Sequence, residues 1–280
     1  MTRIAFLDSG VGGLTVLNKF FSDELLTEEK SQLKDKSESS QIIYFADSIN
    51  LPYGDKSSEE LTEILKKNLN WIQSRADVVI LACNSSSSLL DDSIISQVNL
   101  KEIWSLIEVT VNFIKDKHSN VSDVAVFSTQ ATHNLQGYQK RLMETFPKTR
   151  ISSVPCSSLV PIIEEEVLLK KNNFGNLAIE QLNKYKACLN SEPELLIYGC
   201  SHYPILEEYF KKVFPNTILI DPADAMYSKL KHYSFVAEES SCSSVVTGEK
   251  DKFLEKLKAL DGYLNCAKYF KNSIKFAEIA

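Results

Sequence analysis

Hydrophobic residues fall along this chain in short unbroken runs, separated by longer stretches where apolar and polar positions recur at helical spacing. That alternation predicts strands and helices in turn, and hence a largely parallel sheet covered on both faces. Strands are expected over 4–7, 42–46, 103–107, 124–127, 151–154, 195–198, 217–220 and 245–247, with another after Asp77. Helices are expected over 14–21, 58–74, 87–98, 109–117, 134–146, 159–171, 176–189, 205–213 and 250–260, with a further one after Ala225. Ser57 stands where the cap of the 58–74 helix belongs. Residues 22–41, rich in Ser, Glu and Lys, read as a solvated extension or loose insertion.

Two of the apolar runs end in a cysteine in matching surroundings. One is Asp77-Val-Val-Ile-Leu-Ala-Cys83-Asn84-Ser85, the other Glu194-Leu-Leu-Ile-Tyr-Gly-Cys200-Ser201-His202. A buried parallel strand opens into a site at its carboxyl end, where the ligands of doubly wound sheets bind. A second pair repeats the pattern: Ile4–Leu7 runs into Asp8-Ser9-Gly10, and Val124–Phe127 into Ser128-Thr129-Gln130. The interval from Asp8 to Cys83 nearly equals that from Ser128 to Cys200, so the halves carry the same landmarks. Two homologous α/β lobes facing each other across a cleft account for this. The expected division is 1–107 plus 222–280 for one lobe and 108–221 for the other.

Composition narrows the class. With 280 residues, 44% hydrophobic and 24% charged, the chain is ordinary for a soluble protein of one large or two moderate domains. A net charge of −6 argues against nucleic acid or an anionic membrane as partner. The amino terminus reaches Asp8 too soon for a signal-peptide core, and no apolar run approaches the ~20 residues of a membrane span. A cytosolic location is expected. The six cysteines form no C-x-x-C pair and the four histidines are scattered, so neither a disulfide framework nor a zinc site is expected. Cys156, Cys188, Cys242 and Cys266 read as small buried hydrophobes. The glycines of Gly10-Val-Gly-Gly13 permit open φ and close backbone approach, placing amides near whatever Asp8 and Ser9 bind; their spacing is not the dinucleotide fingerprint.

The quoted segments resemble the glutamate racemases of the cofactor-independent aspartate/glutamate racemase superfamily. The matching stretches are Asp8-Ser-Gly-Val-Gly-Gly-Leu14, Pro52-Tyr-Gly54, Cys83-Asn84, Thr129-Gln-Ala-Thr132, Val160-Pro-Ile-Ile-Glu164 and Gly199-Cys-Ser-His-Tyr-Pro204. They span nearly the whole length, in the family's order. The resemblance implies that Cys83 and Cys200 are the two acid/bases, Cys83 serving D-glutamate and Cys200 L-glutamate. It implies that Asp8 and His202 support the neighbouring thiol or substrate, with Glu164 near His202. Ser9, Pro52, Tyr53, Gly54, Asn84, Ser85, Thr129, Thr132 and Ser201 would contact substrate, together with Asp8, both cysteines and His202. It further implies no cofactor, no metal, a homodimer, and supply of D-glutamate for peptidoglycan. The chain departs from the family's pattern at Ser85, Ser86 and Ser201, at Ser105–Val109, and in the length of 22–41.

The chemistry suits the residues. An amino-acid α-carbon is a poor acid, and without a cofactor the barrier must fall through a placed base, a placed acid and a dry, polar site. A free thiol titrates near ~8.5, so modest tuning makes it acid or base near neutrality. His202, if protonated, favours a Cys200 thiolate; Asp8 raises Cys83 and attracts an ammonium. Taken singly, His202 could be a core residue, Asp8 a helix cap and Tyr53 a packed turn residue. The rivals are an aspartate racemase, a cysteine hydrolase, which would leave the second thiol without a task, and a non-catalytic binder of acidic amino acids.

Overall fold

Ten strands build two separate sheets. The computed structural model describes residues 2–21, 40–167, 174–231, 242–261, 263–270 and 274–277. In chain order the strands are β1 (Arg3–Asp8), β2 (Gln41–Ala46), β3 (Val78–Leu81), β4 (Glu102–Ser105), β5 (Asp123–Ser128), β6 (Arg150–Pro155), β7 (Leu195–Gly199), β8 (Ile218–Ile220), β9 (Cys242–Val246) and β10 (Ile274–Phe276). The first sheet runs β10-β9-β2-β1-β3-β4 and the second β6-β5-β7-β8, every described pairing parallel. The order β2-β1-β3-β4 repeats as β6-β5-β7-β8. The register repeats with it: Leu7 pairs with Leu81 just before Asp8 leaves β1, and Ser128 pairs with Gly199 just before Cys200. Both cysteines therefore leave corresponding strands at the same level of their sheets.

The strands read as apolar runs because helices cover both faces. On one face of the first sheet Ile4, Phe6, Tyr44 and Ile80 pack with Leu14 and Leu17 of α1 (Leu14–Asn18). Ala5, Leu7, Phe45 and Val79 on the other face meet Leu61, Leu65 and Leu69 of α2 (Ser58–Ile72). Alternate residues of one strand thus enter two cores. Ser57 caps α2 by accepting from the Glu60 amide at 3.2 Å, the cap expected from sequence. The second sheet is sandwiched in the same way, with Phe127 and Tyr198 on one face and Val126 and Ile197 on the other.

Several expected elements are differently drawn. The helix expected over 87–98 is two short ones, α3 (Asn84–Ser87) and α4 (Asp92–Ile95), because Asp91 accepts from the Ile94 amide and starts a new helix. Leu106 and Ile107 belong to α5 (Leu106–Lys117), not to the strand before it. The helix expected over 134–146 begins earlier and breaks, giving α6 (Gln130–Leu135) and α7 (Gly137–Thr145), because Thr129 caps the first and Gln136 turns left-handed at φ 57°. Over 159–171 the chain makes a single turn, α8 (Leu159–Pro161), then a π-helix, Ile162–Val167; the rest lies outside the described residues. Helices α9 (Phe174–Lys186), α10 (Glu207–Val213), α11 (Pro222–Leu230) and α12 (Lys250–Leu260) match expectation within a few residues. The short α13 (Ala267–Phe270) and β10 were not expected. Of the 22–41 insertion, 22–39 lie outside the described residues. Among those described, no helix is long and apolar enough to cross a membrane, and all six cysteines are free. Cys188 is exposed rather than buried, because it lies just past the end of α9.

Candidate active site

A cleft of about 520 Å³ lies between the carboxyl ends of the two sheets. Cys83 enters it from the first sheet. It stands two residues beyond β3 in extended backbone, immediately before α3, so its thiol is presented at a strand end. Cys200 follows the last residue of β7 and enters from the second sheet. Both thiols are buried, but their surroundings differ.

Burial first, and the Asp8 carboxylate next, push the Cys83 thiol up to about 12, with the Cys200 sulfur adding to the effect. Asp8 was expected to act in this sense; loss of water is the larger cause. The Asp8 carboxyl is itself raised, because burial outweighs the His202 charge and hydrogen bonds from the Gly10 and Gly13 amides and Ser201. Gly10 N donates to Asp8 Oδ1 at 2.8 Å and Ser201 Oγ to Oδ2 at 3.2 Å. Proton affinity therefore accumulates on the Cys83 side of the cleft.

Cys200 has a cationic neighbour. Its Sγ is 3.8 Å from His202 Nδ1, and His202 Nε2 is 3.0 Å from Glu164 Oε1. Burial disfavours the imidazolium, but the hydrogen bonds and charges of Cys200 and Glu164 outweigh it and hold His202 well above the ordinary histidine range. Burial also works against an ionised Glu164, yet His202 and Lys256 bring that carboxyl down to about 2. The arrangement is a thiol beside an imidazolium that is backed by a carboxylate.

Room for that imidazole comes from Gly12: a β-carbon there would lie 2.4 Å from His202 Nδ1. The glycine turn is thus not used as expected. No described glycine takes a left-handed φ, and the Gly10 and Gly13 amides point at Asp8 rather than into the cleft. Thr15 Oγ1, a turn further on, donates to the Ser201 carbonyl at 2.8 Å and ties α1 to the Cys200 loop.

Donors for an anionic ligand line the same walls. Asn84 Oδ1 accepts from Tyr138 Oη at 2.7 Å, whereas its Nδ2 is buried and has no partner among the described residues. The hydroxyls of Ser85, Thr129 and Thr132 form a triangle with 3.1 Å sides. Tyr53 is held by Asp47, whose carboxylate also accepts from Asn50, Asn68 and Thr247 and so fixes the loop through Pro52 and Gly54.

Of the residues expected at the site, Ser9, Pro52, Tyr53, Gly54, Cys83, Asn84, Ser85, Thr129, Glu164, Cys200, Ser201 and His202 line the cleft. Asp8 and Thr132 do not. Asp8 is saturated by Gly10 and Ser201 beneath the surface, and Thr132 lies behind Ser85 and Thr129. Leu51, Asp55, Ser157, Ser158, Val160, Pro161 and Glu165 also line it and were not singled out. Val160 and Pro161 stood within a matched stretch, and that was their only signal. Among the described residues no group of three His, Cys, Asp or Glu side chains could hold a metal ion.

No family model matches the chain. A glutamate racemase from Rippkaea orientalis (strain PCC 8801 / RF-1) is 33% identical over 232 residues, 81% of this chain and 74% of that one. A solved glutamate racemase isoform from Bacillus anthracis is 23% identical with a TM-score of 0.78, covering 99% of this chain and 98% of that one. The glutamate racemase from Francisella tularensis subsp. tularensis SCHU S4, solved in complex with D-glutamate, is 24% identical with a TM-score of 0.75, covering 100% and 97%. An aspartate racemase from Picrophilus torridus shares the fold less closely, with a TM-score of 0.52 at 16% identity over 83% of this chain and 94% of that one. Fold and relationship together make this protein an amino-acid racemase, an isomerase. More particularly, the chain belongs to the glutamate racemase family.

Proposed function

We propose that the protein interconverts L- and D-glutamate by a two-base reaction in which Cys83 and Cys200 serve opposite faces of the α-carbon. The observation that carries this is the pair of thiols at corresponding strand ends of two repeated sheets, both opening on one cleft. A substrate held between them has one sulfur on each side of its α-carbon.

Starting from L-glutamate, the Cys200 thiolate takes the α-proton, and the electron pair left on carbon takes the proton of the Cys83 thiol from the other face. Cys200 ends as thiol and Cys83 as thiolate. Each electrostatic setting serves one half of this. The imidazolium beside Cys200 favours the thiolate needed at the start, and the high affinity of Cys83 keeps its proton in place until carbon takes it. Return to the resting state moves one proton from Cys200 and one to Cys83, with His202 and Asp8 as the neighbouring titratable groups. Asn84 Nδ2, Ser9, Ser85 and Thr129 offer donors for the two carboxylates, and burial of one carboxylate against them satisfies an otherwise unpaired amide. The same fixed donors would stabilise the charge that develops as the α-proton leaves.

Glutamate as substrate is supported by family membership and by the Francisella relative, which holds D-glutamate. The lobe division at 1–107 plus 222–280 and 108–221 fits the membership of the two sheets. A homodimer and supply of D-glutamate for peptidoglycan rest on family membership alone, and a cytoplasmic location on the apolar pattern of the sequence.

Racemisation of L-glutamate in heavy water tests the mechanism. Newly formed D-glutamate should carry deuterium at the α-carbon while the remaining L-glutamate stays protonated early in the reaction. Cys83→Ala and Cys200→Ala should each abolish racemisation in both directions, beyond the ~10²–10⁴ usual for one general acid or base, because no other thiol among the described residues opens on the cleft. Substantial turnover by either variant, or rapid washout of label into L-glutamate, refutes the pairing.

A further inference from the structure

The segment that carries Glu164 is irregular. Pro161 ends a single helical turn and Ile162–Val167 continue as a π-helix, a geometry that re-aims side chains and recurs at functional positions. Ile163 anchors this segment in the second sheet's core beside Phe127 and Tyr198. Opposite it, Phe253, Leu257 and Leu260 of α12 pack into the first sheet's core with Phe6 and Tyr44. From that helix Lys256 reaches across, its Nζ 2.6 Å from Glu164 Oε2. The side chains are only 26% and 13% exposed, so the pair is largely out of water. One turn earlier, Lys252 and Glu249 form an ordinary surface pair, 71% and 70% exposed.

Four groups therefore stand in line: Cys200, His202, Glu164 and Lys256. The first three are carried by the second sheet and its helices. Lys256 alone comes from the first.

We propose that Lys256 is a positioning residue for Cys200. By holding one Glu164 oxygen across the cleft it aims the other at His202, and so sets the imidazolium beside the thiol only at the lobe spacing at which the ion pair forms. The inference rests on the two-base reading for the role of Cys200 and adds to it the element that readies that thiol. A glutamate side chain with neither oxygen tied turns freely about its three bonds; with one tied, the second has few directions left. Lys256 thus reaches the thiol only through Glu164 and His202. Asp8 also acts on His202 through its charge and is bonded to Ser201. Cys83 responds to the Cys200 charge, so the exposed Cys188 serves as the internal reference.

The test is alkylation of the full chain by iodoacetamide near neutral pH, with Cys200 and Cys188 read separately by peptide mapping. In Lys256→Met, labelling of Cys200 should fall about tenfold relative to Cys188. Racemisation should lose kcat by a similar factor, with KM for either enantiomer within about twofold. Lys256→Arg should restore both readouts, and Lys252→Met should alter neither. Should the Met variant fold poorly, Lys256→Gln, which keeps a donor and loses the charge, gives the same comparison. An unchanged Cys200-to-Cys188 ratio overturns the proposal. So does faster labelling of Cys83 and Cys200 together, which means only parted lobes, or failure of Arg to restore the ratio. Labelling needs no turnover, so this outcome is separate from that of the two-base reading, which falls if Cys200→Ala still racemises.

Discussion

Glu164→Gln removes one negative charge from between two cations while keeping the side chain's size. In the folded protein the carboxyl lies at about 2 rather than its ordinary 4.5. At ~1.36 kcal/mol per pH unit, that difference makes the ionised carboxylate worth about 3 kcal/mol to the folded state. Its pH window follows from two signs. Folding lowers the Glu164 pKa, so its contribution is present above pH 4.5 and is lost as pH falls toward about 2. Folding raises the His202 pKa, so the imidazolium's share is fully present below the ordinary 6.5 and fades as pH rises through the folded value. The full contribution therefore spans pH 4.5 to 6.5, and above that range the Lys256 share remains. At ~2–4 °C per kcal/mol for a chain of this size, Glu164→Gln should lower Tm by about 6–12 °C within the window. Urea unfolding followed by circular dichroism at acid, mildly acid and alkaline pH measures the difference between the two proteins. It should peak in the middle, fall to less than half toward pH 3 and decline partly toward pH 9. A difference that stays constant across this range, or grows on the acid side, refutes the charge assignment.

Tyr138→Phe should leave Asn84 Oδ1 buried without its donor, costing ~1–3 kcal/mol of stability, and free the amide to turn. Glutamate KM should then rise several-fold with kcat changed less; an unchanged KM means that Asn84 needs no tether. Activity should survive dialysis against EDTA and treatment with hydroxylamine, since the two-thiol reaction draws on neither a metal nor a carbonyl cofactor. Loss of turnover under either treatment refutes cofactor independence.

Legibility in the sequence followed the range of the interaction. Cys83 and Cys200 could be placed from sequence because a buried parallel strand announces its own carboxyl end by an apolar run. The repeat of Asp8 to Cys83 in Ser128 to Cys200 foretold the repeated strand order. Helix breaks were less visible: Gln136 carries no glycine signal for its left-handed turn, and Asp91 looked like one more polar residue on a helix. Partners supplied from far along the chain were not legible at all. Lys256 lies 92 residues from Glu164 and Tyr138 lies 54 from Asn84, and neither differs locally from other residues of an amphipathic helix. The resemblance gives Asp8 a place at the substrate, but the partners that hold its carboxylate beneath the cleft wall, the Gly10 amide and the distant Ser201 hydroxyl, are not legible from its strand end.

The unlike surroundings of the two thiols have a consequence set by thermodynamics rather than by the protein. Mirror-image forms of a free amino acid have the same free energy, so their equilibrium constant is unity however lopsided the catalyst. The Haldane relation then makes kcat/KM equal for the two enantiomers, in the natural protein and in every active variant of it. A Cys83 raised to about 12 opposite a Cys200 beside an imidazolium cannot favour one product at equilibrium. It can only divide the same catalytic efficiency differently, giving one enantiomer a high kcat with a high KM and the other a low kcat with a low KM. The electrostatic bias of the cleft thus decides which enantiomer occupies the enzyme when both are abundant, and leaves the direction of net flux to their concentrations.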